Sequence, residues 1–262
     1  MKRQIQLFFT ALVFYTRIRC PKKIVVLSDE LNAATRFYPL IGIIVGALSF
    51  LALWGTEFLF GTTIAVVMSV AAGVLITGAF HEDGFSDVFD GFGGGWTKEK
   101  ILEIMKDSRI GAFGTIALVL MMALKIISLW HISNTLIHNN IPVLFLVFIT
   151  YHSLARLTSG NIVFLSNYAR ADATSKVKPI EKGATATEIV IAYFIGLLPL
   201  CILAYFYVYV LWVIVPLALL VFFAKRYFER YIGGYTGDCL GCTEQIAELV
   251  ILLYFVALWR FM

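Results

Sequence analysis

The chain has 262 residues, of which 60% are hydrophobic and 15% are charged, and its mean hydropathy is +0.85. This composition excludes an ordinary soluble globular protein, because such proteins carry about 25% charged residues. The formal net charge of +4 is small, and the sequence has no nucleic-acid-binding signature. Several apolar stretches reach the length of about 20 residues that a helix needs to cross a bilayer. The sequence therefore predicts an all-α, polytopic integral membrane protein.

The N-terminal segment combines a short apolar run with clustered positive charge. The run extends from Ile5 to Tyr15, and no small-residue cleavage site follows it, so it does not have the form of a signal peptide. The flanking basic residues are Lys2, Arg3, Arg17, Arg19, Lys22 and Lys23. This pattern predicts an interfacial helix on anionic membrane lipid, with a buried, non-spanning helix as the alternative.

Apolar runs along the rest of the chain predict about seven membrane spans. The runs that predict one span each are residues 40–60, 62–80, 111–130, 141–160 and 246–259. The stretch 189–224 is long enough for two crossings. Lysine and arginine concentrate in segments 81–110, 161–187 and 225–242, whereas 131–140 contains neither. By the positive-inside rule, the basic segments and the N-terminus face the cytoplasm. We predict that the whole chain, residues 1–262, forms one transmembrane domain.

Segment 81–91 is rich in acidic residues and glycine. Asp83, Asp87 and Asp90 are spaced i, i+4 and i+7, so on a helix their carboxylates share one face. These charges repel one another unless a cation holds them, and hard oxygen ligands suit Mg²⁺ or Mn²⁺. We predict a metal-binding helix that continues the second span, with a solvated acidic loop as the alternative. Such a site at a membrane edge indicates phosphoryl chemistry on an amphiphilic substrate.

Two neighbours of these aspartates have separate predictions. His81 acts either as a general base or as a residue that orients a carboxylate. Glu82 lies off the aspartate face, and we expect it to face solvent. Gly84 and Gly91 allow a ligand or a neighbouring helix to approach the backbone closely.

A short helix is predicted after the glycines at 93–95, with Thr97 as its N-cap. Just beyond this helix, Asp107 is placed to complete the metal site. Lys106 and Arg109 are placed to bind phosphate oxygens. The alternative is a surface amphipathic helix whose charges have no role in binding.

Charged residues also fall inside or beside predicted spans. We expect Lys125 to extend toward the headgroups of the far leaflet. His152 and Arg156 lie one helical turn apart, and an intramembrane arginine is usually functional or paired. Arg156 is therefore predicted to bind substrate, with extension to the headgroups as the alternative. The basic loop 170–182 fits phosphate binding and the positive-inside pattern equally well.

A glycine-rich segment from Gly233 leads into the last span. Free N–H groups at a helix start bind anions, although acidic side chains there require a metal or a hydroxyl partner. Asp238, Gln245 and Glu248 are predicted to bind substrate, with capping of a tight turn as the alternative. The C-x-x-C at positions 239–242 lacks the second pair that a structural zinc site needs.

Together these motifs resemble the cobalamin 5′-phosphate synthase family, also called adenosylcobinamide-GDP ribazoletransferase. The matching segments are His81-Glu82-Asp83-Gly84-x-x-Asp87-x-x-Asp90-Gly91, Met105–Gly114, Gly237–Glu248, Phe14–Ile18 and Arg36–Pro39. The resemblance covers nearly the whole chain. Glu82 stands where the family commonly has an apolar residue, and Cys239 and Cys242 replace small residues, but none of these lies on the aspartate face.

The resemblance implies a Mg²⁺-dependent transferase of cobalamin biosynthesis. Adenosylcobinamide-GDP and α-ribazole 5′-phosphate (or α-ribazole) would give adenosylcobalamin 5′-phosphate (or adenosylcobalamin) and GMP. The implied metal ligands are Asp83, Asp87, Asp90 and Asp107, with one or two Mg²⁺ on the diphosphate. A carboxylate or His81 would take the nucleophile's proton, and Lys106, Arg109 and Arg156 would stabilise phosphate charge.

The implied location is the cytoplasmic membrane of a bacterium or archaeon, with the active site facing the cytoplasm. Self-association, or association with other enzymes of cobalamin synthesis, is compatible with this location.

Two other classes share part of the pattern. CDP-alcohol phosphotransferases begin their motif as Asp87-x-x-Asp90-Gly91 does here, but Gly94 and Gly95 occupy that family's Ala-Arg positions and its later paired aspartates are missing. Ion-coupled transporters contain intramembrane acids and broken helices. Here the acids lie at the cytoplasmic edge, and the sequence shows no internal repeat.

Overall fold

The computed structural model describes residues 2–27, 30–169 and 184–260. Within these ranges the structure is helical, with one isolated β-bridge between Tyr168 and Tyr235. The helices are α1 (Lys2–Tyr15), α2 (Leu31–Ala34), α3 (Tyr38–Thr77), α4 (Phe80–Gly94), α5 (Lys98–Ile104), α6 (Ala112–Leu136), α7 (Ile141–Leu165), α8 (Ala186–Phe206), α9 (Ile214–Ile232) and α10 (Gly237–Arg260), with short 3₁₀ segments at Thr35–Phe37 and Val208–Val213. The predicted basic loop 170–182 lies outside the described residues.

Six of the described helical segments are long and apolar enough to cross a membrane. The first of them, Leu31–Thr77, contains a break at Gly61, whose φ of 73° and ψ of 167° are not helical. A Cβ added to Gly73 would lie 3.1 Å from the Oγ of Ser49, so the two arms around Gly61 fold back on each other. When these two arms are counted separately, the structure has about seven apolar helical segments. This is the number that the apolar runs predict. The predicted all-α polytopic fold is confirmed.

The long apolar stretch 189–224 forms two helical segments that are each long and apolar enough to cross a membrane, as predicted. α8 ends at Phe206, and the chain resumes through the 3₁₀ segment into α9. α9 continues to Ile232, beyond the predicted end of the stretch at residue 224. Pairs such as Lys225 and Glu229, whose Nζ and Oε2 are 2.9 Å apart, therefore lie on the last turns of a helix rather than in a loop.

The acidic helix α4 does not continue the second arm of α3, so this detail of the prediction was wrong. Gly78 (φ 70°) and Ala79 (φ 58°) are both left-handed and end α3. The Ala79 N–H donates to the Val74 carbonyl at 2.9 Å, as in a Schellman helix end. The chain therefore turns sharply before α4 begins at Phe80.

α7 is the most buried of the candidate spans, and the other helices pack around it. Its most apolar window is 78% buried, whereas those of α6, α8 and the segment containing α9 are 28%, 28% and 17% buried. α7 contacts α3, α8, α9 and α10, so its polar residues lie inside the protein. α1 packs its buried Leu7 and Ala11 against the first turns of α3. The predicted N-terminal helix is present, and its position at the membrane surface stays a prediction.

Candidate active site

The three aspartates of the first motif lie on α4, as the spacing predicts. Along one face of this helix, Asp83 is exposed, Asp87 is half-buried and Asp90 is buried. Two of the three carboxylates are therefore at or near the surface, where a charged ligand can reach them. The next predicted helix is also present as α5, and the Thr97 hydroxyl accepts a 3.3 Å hydrogen bond from the Lys100 N–H.

The first and last motifs meet where α4 crosses α10. A Cβ on Gly84 would lie 2.9 Å from the Cα of Asp238, and one on Gly241 would lie 3.0 Å from the carbonyl oxygen of His81. Only hydrogen at these two positions permits such a close approach. The crossing places half-buried Asp238 beside the acidic helix, and the Thr236 hydroxyl lies 3.2 Å from its Oδ2.

Asp90 joins α4 to the start of α6. Its Oδ2 accepts a 2.7 Å hydrogen bond from the Gly111 N–H, and its Oδ1 accepts one of 2.8 Å from the Gly114 N–H. Gly111 is the N-cap of α6 and has no side chain to satisfy these N–H groups. A carboxylate also favours the positive end of the helix dipole. Asp90 therefore supplies from α4 the cap that α6 lacks.

This role predicts that Asp90→Ala lowers the free energy of unfolding by about 1–2 kcal/mol, the usual cost of a lost N-cap. Thermal denaturation of the purified protein in detergent checks this. Glu103→Ala is the matched control, because Glu103 is exposed on α5 and pairs with its exposed neighbour Lys100. Equal melting temperatures for the two variants would contradict the proposal that Asp90 caps α6.

The residues after α5 form a local ion pair. Arg109 donates from its guanidinium to Asp107 Oδ2 at 2.7 Å, and its backbone N–H donates to Oδ1 at 3.0 Å. Hydrogen bonds from Arg109 lower the pKa of Asp107 to about 2. Lys106 and Arg109 are exposed, as phosphate-binding residues must be. The structure pairs Asp107 with Arg109 and does not bring it into a group with the aspartates of α4.

The carboxylates of exposed Asp83 and half-buried Asp87 on α4 have the donor chemistry that Mg²⁺ prefers. Among the described residues, no three His, Cys, Asp or Glu side chains are gathered closely enough to hold a metal ion by themselves. Mg²⁺, however, commonly takes one or two protein carboxylates and completes its shell with water and substrate phosphates. Asp83 and Asp87 match this requirement in donor chemistry and exposure. Asp90 is engaged with α6, and Asp107 is engaged with Arg109.

A buried ion network lies inside the bundle and is centred on Glu248. Its Oε2 lies 2.7 Å from Lys125 Nζ, and its Oε1 lies 2.6 Å from His152 Nδ1 and 3.2 Å from Arg156. These groups come from α10, α6 and α7. Buried charges are stable only when paired in this way.

The network extends from Glu248 toward α4. Arg156 lies 2.8 Å from Glu244 Oε1, a charge contact without hydrogen-bond alignment. Lys125 donates to Gln245 at 2.5 Å, and Gln245 donates to Glu82 at 3.2 Å. The structure therefore links α4, α6, α7 and α10 through polar contacts.

Two predictions about these residues were wrong. Lys125 is 3% exposed and turns into the protein instead of extending toward the headgroups. Glu82 is 7% exposed and does not face solvent. Both side chains face α10, whose Glu244 and Glu248 are one turn apart. His152 and Arg156 have the same one-turn spacing on α7. These two pairs of opposite charge could have predicted from the sequence that α7 and α10 face each other.

Three predicted substrate-binding residues also belong to this network. Arg156, Gln245 and Glu248 are 1%, 2% and 1% exposed, and the structure places them in the interior rather than beside the exposed Asp83. Their assignment to substrate binding stays a prediction.

His81 lies in the first turn of the acidic helix α4 and faces the buried network. Its Nε2 is 2.9 Å from the Tyr38 hydroxyl, and its Nδ1 is 3.9 Å from Glu244 Oε2. Burial lowers the pKa of His81 well below its usual value and raises the pKa of Glu82. His81 is therefore neutral at pH 7.

These features define a polytopic membrane protein that carries an acidic helix at the ends of its spans and a buried ion network behind it. The chain belongs to the cobalamin-5-phosphate synthase family, whose model matches residues 7–256, so the resemblance drawn from the motifs is confirmed.

Relatives named adenosylcobinamide-GDP ribazoletransferase align over nearly the full length of the chain. The protein of Shewanella baltica (strain OS185) is 42% identical over 257 residues, which cover 98% of this chain and 95% of the relative. That of Shewanella frigidimarina (strain NCIMB 400) is 38% identical over 255 residues, or 97% and 95% of the two chains. No solved structure matches the chain.

Proposed function

We propose that this chain catalyses the adenosylcobinamide-GDP ribazoletransferase reaction of cobalamin biosynthesis. The observation that carries this proposal is the family match over residues 7–256, together with relatives of that name that cover nearly the whole chain. Neither comparison favours a CDP-alcohol phosphotransferase or an ion-coupled transporter. The membrane spans and the surface acidic helix are compatible with the proposed reaction.

In this reaction a ribose hydroxyl of α-ribazole, or of α-ribazole 5′-phosphate, forms a bond through its oxygen to the phosphorus that carries cobinamide. The bond from that phosphorus to GMP breaks, so GMP leaves with the bonding electrons. The proton of the attacking hydroxyl passes to a nearby carboxylate. Asp83, Asp87 and Asp238 are acidic residues outside the buried interior on the two crossing helices, α4 and α10.

We assign the divalent cation, Mg²⁺ or Mn²⁺, to Asp83 and Asp87. When bound, such a cation neutralises charge on the diphosphate and on the departing GMP. Exposed Lys106 and Arg109 bind phosphate oxygens. Arg156, Gln245 and Glu248 act as positioning residues, because their buried contacts fix α10 against α6 and α7.

We place the active site on the cytoplasmic side of the cytoplasmic membrane. The lysine and arginine pattern supports this orientation. The end of α1 is also tied to the end of α3, since the Arg17 N–H donates to the Ile76 carbonyl at 2.7 Å. The basic N-terminus and the acidic helix that follows α3 therefore share one end of the bundle.

The function is tested by supplying the purified protein in detergent with adenosylcobinamide-GDP and α-ribazole 5′-phosphate. We expect corrinoid product and GMP in equal amounts in the presence of Mg²⁺, loss of turnover in EDTA, and recovery when Mg²⁺ or Mn²⁺ is restored. Folded protein that releases neither product with either cation would contradict the proposed reaction. Turnover unaffected by EDTA would support the proposed reaction and contradict the requirement for a divalent cation.

A further inference from the structure

A deep cleft lies between α4, α9 and α10. We call it the α9 cleft and define it by Val88, Phe89, Phe92, Phe223, Tyr227 and Ile246. Its volume is about 1130 Å³, which exceeds the roughly 300–1,000 Å³ of pockets that enclose small ligands. Among the described residues, none that we assign to the proposed reaction lines this cleft. It is therefore a second site, separate from the exposed acidic face of α4.

The depth of the α9 cleft corresponds to one leaflet of a membrane. Leu220 lines its floor, and Arg230 lines its rim near the end of α9. The ten residues from one to the other extend about 15 Å along a helix, which is half of a hydrocarbon core about 30 Å thick. Between these levels the cleft is lined by the exposed rings of Phe222 and Phe223. An acyl chain therefore matches the cleft in length and in polarity.

The cleft is accessible from the side of the bundle. The segment that contains α9 is the least buried of the six candidate spans. Phe89 of α4 and Phe113 at the start of α6, which also line the cleft, are exposed as well. Exposed aromatic residues at the ends of spans are typical of a membrane interface. Lipid from the surrounding leaflet therefore reaches the cleft directly.

Two arginines stand at the rim of the cleft, one helical turn apart. Arg226 and Arg230 are exposed on α9 and are spaced i and i+4, so their side chains are neighbours on one face. The guanidinium carbon of Arg226 lies 5.2 Å from the ring centroid of Phe222, and that of Arg230 lies 5.5 Å from the ring centroid of Tyr231. Aromatic faces attract cations but do not neutralise them. Both arginines therefore keep their charge for an anionic ligand.

The acidic residue on the lining does not neutralise these arginines. Glu229 Oε2 lies 2.9 Å from Lys225 Nζ, and its Oε1 accepts a 2.8 Å hydrogen bond from the Ser166 hydroxyl. Within the part of the chain that the structure describes, neither Arg226 nor Arg230 pairs with a carboxylate. The rim therefore carries two unneutralised guanidinium groups, which bind phosphate oxygens well.

We propose that the α9 cleft binds an anionic phospholipid of the cytoplasmic leaflet, with its phosphate on Arg226 and Arg230 and an acyl chain along Phe222 and Phe223. Basic pockets between transmembrane helices on this side of a membrane bind anionic headgroups. A corrinoid is a poorer match, because its amide groups would lack partners at an apolar floor. The bound lipid fills the space between α9 and α4 and so stabilises the acidic helix. This inference uses the proposed orientation in the membrane but not the proposed reaction.

The first test is a lipid titration of delipidated protein in an uncharged detergent. Saturating phosphatidylglycerol is expected to raise the melting temperature by about 5 °C, and phosphatidylcholine with the same acyl chains is expected to have little effect. In the double variant Arg226→Gln/Arg230→Gln, the Kd for phosphatidylglycerol is expected to rise about 30-fold. Lys22→Gln/Lys23→Gln is the matched control, because it removes two exposed charges outside the cleft. Equal effects of the two lipids, or an unchanged Kd in the arginine variant, would overturn the proposal.

The second test locates the lipid on the wild-type protein. Phosphatidylglycerol with a photoreactive group at the end of one acyl chain is expected to label the cleft floor around Leu220 and Ile246. Excess unlabelled phosphatidylglycerol is expected to suppress this labelling but not the labelling of Phe194, which is exposed on α8 outside the cleft. Labelling that is equal at both places and does not saturate would overturn the site. Suppression by adenosylcobinamide-GDP, and not by phosphatidylglycerol, would assign the cleft to the substrate and overturn the lipid.

Discussion

Replacing Asp87 by Asn is expected to abolish turnover while leaving the protein folded. The side chain is half-buried on the exposed face of α4, next to Asp83. The amide keeps the shape of the side chain but removes the negative charge that a hard divalent cation requires. Because cation stabilisation of a transferring phosphoryl group is worth several kcal/mol, kcat is expected to fall by on the order of 10³-fold.

The measurement is GMP release by Asp87→Asn, compared with wild type over a range of Mg²⁺ concentrations. Glu99→Gln is the matched control, because Glu99 is an exposed acid on α5 and lies off the acidic face. Melting temperatures verify that both variants are folded. If Asp87→Asn turns over like wild type at every Mg²⁺ concentration, the aspartates of α4 have no part in the chemistry, even if the reaction itself is correct.

Replacing Arg156 by Met is expected to destabilise the protein more than any surface change. Arg156 is 1% exposed and lies against both Glu244 and Glu248. Its removal leaves buried Glu244 without its paired cation, while Glu248 keeps Lys125, and breaking a buried pair in this way costs about 3–5 kcal/mol. For a chain of this length the melting temperature is expected to fall by about 10 °C.

Lys225→Met provides the comparison for Arg156→Met. Lys225 pairs with Glu229 at 2.9 Å near the end of α9, and both side chains are about a third exposed. Exposed pairs of this kind contribute about 0–1 kcal/mol, so little change in melting temperature is expected. If Arg156→Met instead retains the wild-type melting temperature and raises the KM for a substrate, Arg156 binds substrate and is not a positioning residue.

The buried network helps to explain how the acidic helix α4 is held at the end of the bundle. α4 packs Phe85 and Val88 into the core, and its first turn places His81 and Glu82 inward as well. These two residues contact Tyr38, Gln245 and Glu244. The outward face of the same helix carries exposed Asp83 and half-buried Asp87. One helix thus combines a buried polar anchor with an exposed acidic surface.

The sequence by itself determined the features that depend on local spacing. The apolar runs predicted the spans, because a bilayer imposes a minimum length on any apolar helix. The helical period placed Asp83, Asp87 and Asp90 on one face, and Thr97 identified the start of α5. The glycines near position 241 marked the entry to α10. Each of these inferences needs only neighbours within a few residues along the chain.

Only the tertiary structure decided which charges are buried and what they contact. Lys125 and Glu248 are 123 residues apart in sequence, and their contact depends on the packing of α6 against α10. The capping of α6 by Asp90 and the inward turn of Glu82 depend in the same way on how α4 is placed after the left-handed break at Gly78 and Ala79. A period along one helix shows which residues share a face. The element that this face meets is set by the packing of the whole bundle.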